Sequence, residues 1–267
     1  MPAYCAIDDP DDPRLAAYRD VRERDLVGRS GRFVAEGEVV LRTLVARSRF
    51  SIVSCLVSQK RIDAVAAVVA ALPDDIPVYV AAQPVIDAIT GFHIHRGVLA
   101  LGRRGEPADP AMLLRSLPAH AIVVGLVGLT NHDNVGGVFR NAAAFGAHTV
   151  LLDPATCDPL YRKATRVSVG ASLIVPFARA RSSDDLIEVL AAEGFEVLAL
   201  SPAGAEPLSA VRPCGRTALL LGTEGPGLPQ SILARVRTLR IPMTAGFDSL
   251  NVATASGIAL HHLATAV

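Results

Sequence analysis

The sequence predicts an α/β protein in two parts, a small N-terminal module followed by a larger parallel sheet covered by helices. Three observations carry that expectation. Hydrophobic residues make up 51% of the 267 positions, enough to fill cores for one large domain or two modest ones. Near-continuous apolar runs alternate with helical stretches through the second half, the pattern of strands buried on both faces. Between the halves, Arg103-Arg104-Gly105-Glu106-Pro107-Ala108-Asp109-Pro110 is polar and broken by proline, as linkers are.

Within residues 1–104 the periodicity switches repeatedly. Gly37 to Ala46 has helical spacing and Ile52 to Val57 is strand-like. Ala64 to Leu72 reads as helix, Val78 to Ala81 as strand, Val85 to Thr90 as a short helix, and Val98 to Leu101 as a closing strand. Such alternation predicts a small α/β module. Residues 105–118 are expected to be linker, with one short apolar turn from Met112 to Leu117 before Pro118.

Residues 119–267 carry the larger sheet. Strands are expected at Ala121–Leu129, Thr149–Leu152, Leu173–Phe177, Glu196–Leu200, Thr217–Leu221 and Leu239–Ile241. Most are separated by helices, including Val135–Phe145, Asp184–Ala192 and Leu250–Ala264.

Three blocks run an apolar strand into a tight turn with polar side chains at its exit. They are Asn131-His132-Asp133-Asn134-Val135-Gly136-Gly137-Val138-Phe139-Arg140, the stretch from Leu219 through Gly222-Thr223-Glu224-Gly225 to Pro229, and Ile241-Pro242-Met243 followed by Asp248-Ser249-Leu250-Asn251-Val252. Ligands of parallel α/β sheets bind outside the carboxyl ends of the strands, so these exits outline a site. A Rossmann-type nucleotide site would require G-x-G-x-x-G after the first strand. The chain has Gly125-Leu126-Val127-Gly128-Leu129-Thr130 there, which does not fit, so a cofactor site is expected at the C-terminal blocks.

The blocks resemble the motifs of the SpoU (TrmH-type) branch of the SPOUT superfamily, the S-adenosyl-L-methionine-dependent RNA ribose 2′-O-methyltransferases. The family's N-x-x-N-x-G-x-x-x-R matches Asn131 to Arg140, L-G-x-E-x-x-G matches Leu221 to Gly227, and I-P-M followed by S-L-N-V matches Ile241 to Val252. Arg166-Val167-Ser168-Val169-Gly170-Ala171 matches R-x-S-x-G-A. Upstream, Phe33-Val34-Ala35-Glu36-Gly37 and His95-Arg96-Gly97-Val98 are similar to the L30e-like RNA substrate-binding domain of many SpoU enzymes, although glutamine is frequent where Arg96 stands.

The resemblance implies a C-terminal SPOUT domain over 119–267, an α/β knot whose parallel sheet is threaded as a trefoil, a rare exception to the rule against threaded chains. An L30e-like RNA-binding domain over 1–104 would precede it. It implies S-adenosyl-L-methionine held in the knot by Gly222, Ile241 and Leu250, largely through backbone atoms. Glycines there let backbone approach the ligand, and Pro226, Pro229 and Pro242 stiffen the loops. The implied catalytic set is Asn134, Arg140, Glu224, Ser249 and Asn251. The family assigns its motif arginine to activating the ribose hydroxyl. A guanidinium is almost never neutral near pH 7, so Arg140 is expected to stabilise the developing alkoxide or grip the neighbouring phosphate. Asn134 would orient the ribose, and Glu224 would fix Arg140 or Asn134 through charge-assisted bonds. Ser249 and Asn251 are also good capping residues for the last helix.

The small residues Ala253, Ala255, Ser256, Gly257 and Ala259 of that helix, with the motif around Arg140, are implied to form a homodimer interface. Ribosomal RNA is favoured over tRNA as the substrate. A non-catalytic RNA-binding or assembly protein retaining this fold, and a SPOUT enzyme acting on a base nitrogen, remain as alternatives.

Other features narrow the class. Lys and Arg number 26 against 26 Asp and Glu, so the chain lacks the strong basic excess of many nucleic-acid binders. Lys60 and Lys163 are its only lysines. Arg14, Arg19, Arg22, Arg24, Arg29 and Arg32 crowd one segment, interleaved with Asp20, Glu23 and Asp25. Two readings stand equally: an ion-paired helix face or an RNA-contacting patch. The four cysteines, Cys5, Cys55, Cys157 and Cys214, lack any C-x-x-C spacing and read as reduced thiols. His93 and His95 could face one side of a strand but have no third ligand nearby, so no metal site is expected. No apolar run approaches the roughly 18–20 residues of a membrane span. Met1 to Asp12 is acidic and unlike a signal peptide, so the expected location is cytoplasmic.

Overall fold

The computed structural model describes residues 4–19, 30–213, 215–244 and 249–266. Its chain divides into two units, Met1–Glu106 with Leu160–Ile174, and Pro107–Pro159 with Val175–Val267.

The first unit is built on a mixed sheet whose strands are β1 (Tyr4–Ile7), β2 (Arg32–Glu36), β3 (Ser51–Ser58), β4 (Val78–Ala81) and β5 (Val98–Arg103), in the order β1-β4-β3-β5-β2. The first three in that order run parallel, whereas β5 is antiparallel to both β3 and β2. Helices Glu38–Ala46, Ile62–Val69 and Gln83–Thr90 accompany them. The side chains of Ile7, Leu15, Val34, Leu56, Ile86 and Leu99 share one core, and the buried Tyr18 hydroxyl lies 2.8 Å from Ser54 Oγ. Gly37 makes the turn from β2 into the first helix with φ of 98°, a conformation L side chains rarely adopt. The strands β1 and β2 were not among the expected elements, because each is short and flanked by charge rather than by a second apolar run.

Residues 160–174, assigned from the sequence to the C-terminal domain, group with the first unit. They form helices Arg162–Val167 and Ala171–Ile174. Leu173–Phe177, expected as a strand, is therefore split: its first residues close a helical turn and the strand starts at Phe177. A short apolar run does not distinguish helix from strand, and Pro176 bars its preceding residue from continuing the helix. The turn between the two helices places Val169 at φ 55°, a strained conformation for a β-branched residue.

The second unit is a seven-stranded sheet, β6 (Ala121–Leu126), β7 (Thr149–Leu152), β8 (Phe177–Arg179), β9 (Glu196–Leu200), β10 (Glu206–Pro207), β11 (Arg216–Leu221) and β12 (Arg237–Arg240). Its order is β10-β12-β9-β11-β6-β7-β8 and every pairing is parallel. Helices His132–Ala144, Ser183–Ala192 and Val252–Thr265 are its longest. Part of the expected linker belongs to this unit. Asp109 Oδ1 accepts from Met112 N at 2.8 Å and caps a helix over Pro110–Arg115, and Leu114 is fully buried in the core beside Ala121, Leu186 and Leu220.

Among the described residues no helix is long and apolar enough to cross a membrane. No group of three His, Cys, Asp or Glu among them is arranged to hold an ion. His93 and His95 lie in a turn rather than a strand, with their rings edge-on at 4.6 Å. Cys5, Cys55 and Cys157 are thiols, and burial pushes those of Cys55 and Cys157 up to about 12. In the arginine-rich segment, Arg14 pairs with Asp12 at 2.6 Å and Arg19 with Asp11 at 3.6 Å. Arg22, Arg24, Arg29, Asp20, Glu23, Asp25, Cys214 and Asp248 lie outside the described residues, as does the rest of 245–248, part of the expected knot.

Candidate functional site

Strands β12, β9 and β11 are sheet neighbours, so their carboxyl ends open at one place on the sheet edge. Their exits, with the segment from Ser249 to Ala255, line a single cavity of about 320 Å³. Leu200, Leu221, Ile241, Met243, Leu250 and Val252 make apolar walls, while Ser201, Thr223, Glu224, Ser249 and Asn251 supply polar groups. That mixture of apolar wall and a few polar anchors is the usual make-up of a small-molecule site. Gly222, Ile241, Leu250, Glu224, Ser249 and Asn251, all expected from the sequence, meet here.

The turn after β11 closes on itself. Gly227 N donates to Thr223 O at 3.2 Å, and Thr223 Oγ1 donates to Gly227 O at 3.2 Å. At Gly222 a Cβ would stand 2.4 Å from Leu228 N and 2.5 Å from Gly227 C. The sequence suggested that a side chain there would strike a ligand; it would strike the backbone of its own loop first.

Asn251 joins the cavity to the helix His132–Ala144. Its Oδ1 accepts from Ala253 N at 2.9 Å and Thr254 N at 3.3 Å, capping the last helix. These two backbone donors fix which end of the amide is oxygen. Its Nδ2 then donates to Asn134 Oδ1 and to Glu224 Oε1, both at 3.0 Å. Both amide hydrogens are used, so Asn251 is a bracket between the other two residues. Asn134 must present its oxygen to that bracket, which leaves its own NH₂ without a partner among the described residues. Glu224 was expected to fix Arg140 or Asn134 directly; it reaches Asn134 through Asn251 instead.

A second amide locks the same two helices. Asn141 Nδ2 donates to Ala253 O at 2.6 Å and to Ser256 Oγ at 2.9 Å. Three of the small residues expected at a dimer interface, Ala253, Ser256 and Gly257, thus face Asn141 of the chain's own helix. Ile258 remains 42% exposed.

Arg140 stands apart. It is exposed on the helix that carries Asn134, does not line the cavity, and has no bond to another described residue. Among the residues the sequence reading passed over are Leu200-Ser201-Pro202 and Asn141. The first could have been found by treating the exit of Glu196–Leu200 like the other two, since it is a strand of the same sheet. Asn141 carries a weaker signal, an amide one position after the motif arginine.

The chain is similar to known proteins over most of its length. A profile of the SpoU rRNA Methylase family matches residues 121–261. The chain is 39% identical over 269 residues to an uncharacterised tRNA/rRNA methyltransferase of Mycobacterium bovis, covering 95% of this chain and 89% of that one. Among solved structures it is similar to an AdoMet-bound rRNA methyltransferase of Sinorhizobium meliloti, with a TM-score of 0.77, 26% identity and 97% of each chain covered. The SpoU methyltransferase AviRb of Streptomyces viridochromogenes shares the fold, with a TM-score of 0.78 at 20% identity over 95% of this chain and 96% of that one.

Proposed function

Because the chain belongs to the SpoU rRNA Methylase family, we propose that it transfers a methyl group from S-adenosyl-L-methionine to a ribose 2′-hydroxyl of RNA, with ribosomal RNA favoured over tRNA. The observation that carries this reading is the bracket at the cavity, where Asn251 holds together Asn134, 117 residues away in sequence, and Glu224, 27 residues away.

The cavity fits the cofactor. Its apolar walls suit an adenine ring and a methionine chain, the strand exits offer backbone donors and acceptors, and Glu224 puts a carboxylate among the lining residues of a site for a sulfonium cation. When bound, S-adenosyl-L-methionine supplies an electrophilic methyl group and leaves as a neutral thioether, while the hydroxyl releases one proton. Gly222, Ile241 and Leu250 would hold it. Asn134, its oxygen engaged by Asn251, has its NH₂ available to orient a ribose oxygen, so positioning is this residue's contribution. Arg140, already charged, stabilises the developing alkoxide or holds an adjoining phosphate, and water or phosphate takes the proton. Ser249 adds a hydroxyl at the cavity. Since Arg140 lies off the cavity of its own chain, we read the enzyme as a homodimer in which a second copy completes the site. We read its location as cytoplasmic, as the sequence leads one to expect.

The test incubates the purified protein with methyl-labelled cofactor and RNA, then maps the label by resistance to alkaline cleavage, which a 2′-O-methyl group confers. Label on a base would overturn the ribose assignment, and mapping in cells lacking the gene would identify the RNA. Gly222→Val is expected to abolish cofactor binding by calorimetry and also to lower the unfolding midpoint, because the loop to Leu228 must shift. Unchanged affinity would place the cofactor elsewhere.

We also infer that the first unit binds RNA. A chain cut to begin at Ala119 is a poor test, since it removes the buried Leu114 from the second core and leaves residues 160–174 without their own unit. The division of labour is better tested by point variants in the full chain.

A further inference from the structure

Three segments with family-like sequence but no place in the methyl-transfer site come together in the first unit: the Glu36 segment, the Arg96 segment and the Arg166 segment. The buried carboxylate of Glu36 receives Arg162 Nη1 in a close ion pair, and Arg166 Nη1 at 3.4 Å. The Arg96 side chain lies against Gly37, where an added Cβ would stand 2.9 Å from its Cδ and 3.1 Å from Nη1. Two guanidiniums therefore share one carboxylate, and a third, that of Arg96, packs against the next residue. Pairing Glu36 needs only one of them, and burying such a pair is no reliable source of stability. The surplus positive charge asks for an anion.

An aromatic ring stands beside it. Arg162 stacks on Phe92 with its Cζ 4.5 Å from the ring centre, yet Phe92 stays 41% exposed in a chain with only 4% aromatic residues. The loop carrying Phe92 and Arg96 is held in place: Ile94 is buried, His93 Nδ1 lies 2.6 Å from Asp87 Oδ2, and Arg61 Nε donates to Arg96 O at 3.2 Å. Arg166 keeps 37% side-chain exposure, and its contacts to Glu36 are long, so its fork has donors to offer elsewhere.

We propose that Phe92, Arg96, Arg162 and Arg166 form a seat for single-stranded RNA, in which a base stacks on Phe92 and Arg96 and Arg166 grip the backbone phosphate. An exposed ring can only receive a base that is not already stacked, so the seat takes loops, bulges or ends rather than duplex. Glu36 holds Arg162 and Arg166 in register and keeps them from swinging freely. The seat deepens the RNA-methyltransferase reading by naming how the substrate is held, and none of its four residues lines the cofactor cavity.

The test uses the full chain and a fluorescein-labelled single-stranded RNA of mixed sequence, followed by anisotropy over a salt series. Phe92→Ala is expected to weaken binding by about 5- to 150-fold, the range of a lost base stack, with the salt slope unchanged. Arg166→Ala is expected to reduce the slope of log K against log salt by about 0.7, one phosphate contact on a single strand. An abasic strand should be indifferent to Phe92→Ala. Wild-type affinity and slope in both variants would overturn the proposal, as would equal dependence on Phe92 for abasic RNA. A poly-glutamate peptide that binds with the same dependence on Phe92 and Arg166 would make the face a protein-docking surface and equally overturn it. Both variants should bind S-adenosyl-L-methionine as wild type does; failure of the wild type to bind it would defeat the enzymatic reading and leave this one intact.

Discussion

Arg140→Ala is expected to slow methyl transfer by about 10²- to 10³-fold while leaving affinity for S-adenosyl-L-methionine nearly unchanged. The reason lies in where the residue stands. Arg140 is exposed, lies off the cavity, and bonds to no described neighbour, so neither folding nor cofactor binding depends on it. An interaction made only as charge develops on the ribose oxygen lowers the rate without lowering ground-state affinity. Arg140→Lys should recover little, because a lysine carries the charge without the planar fork that engages oxyanion and phosphate together. Single-turnover rates beside calorimetric titrations separate the two quantities. A lysine variant with near-normal rates would mean that charge alone suffices.

Asn251→Asp should cost about 10²-fold in rate, from the loss of bonds worth about 1.5–3 kcal/mol where the partner is charged. The change is nearly isosteric and keeps a good helix cap, so the first turn of the last helix should survive. What it removes is the donor. A carboxylate cannot bond to Asn134 Oδ1 or Glu224 Oε1, and it sets a second negative charge where Glu224 now accepts at 3.0 Å. Two carboxylates sharing one site titrate as a pair, with one apparent pKa raised. Below that raised value the shared proton restores one donor, so both rate and stability of the variant should rise as pH falls, and both should be lost again as pH climbs through it. The wild-type bracket has an amide in that position and should show no such recovery. A pH–rate profile of the variant that runs parallel to wild type would rule out the bracket.

Much of this site is legible in the sequence because strand exits are local. Gly222, Glu224 and Ile241 sit within a few residues of apolar runs that read as strands of a parallel sheet, and the general rule for such sheets says where ligands go. The strand order is not local, and so the exit of β9 was passed over although it lies between β11 and β12. The same limit hid the bracket: spacing gives no hint that one amide at Asn251 serves residues on two other segments. Residues 160–174 fail for a different reason. Their helices are six and four residues long, too short for periodicity to identify, and their partners lie more than a hundred residues upstream. The apolar run at Leu173–Phe177 satisfies a strand template as well as a helix end, and only packing decides between them.

The excursion at 160–174 has a consequence for how the protein is made. The first unit is not contiguous in the chain: its sheet is complete by Arg103, but the helix that supplies Arg162 and Arg166 comes only after Pro159. During translation at about 5–20 residues per second, the roughly 50 intervening residues delay that helix by several seconds. Through this interval the nascent sheet carries Glu36 without its counter-ions. Burial of that carboxylate must wait, and the ribosome-bound first unit stays open on the side where Arg162 will dock. Chain order thus lets the first unit close only after Ile174 has emerged, when β6 and β7 of the second unit have already been made.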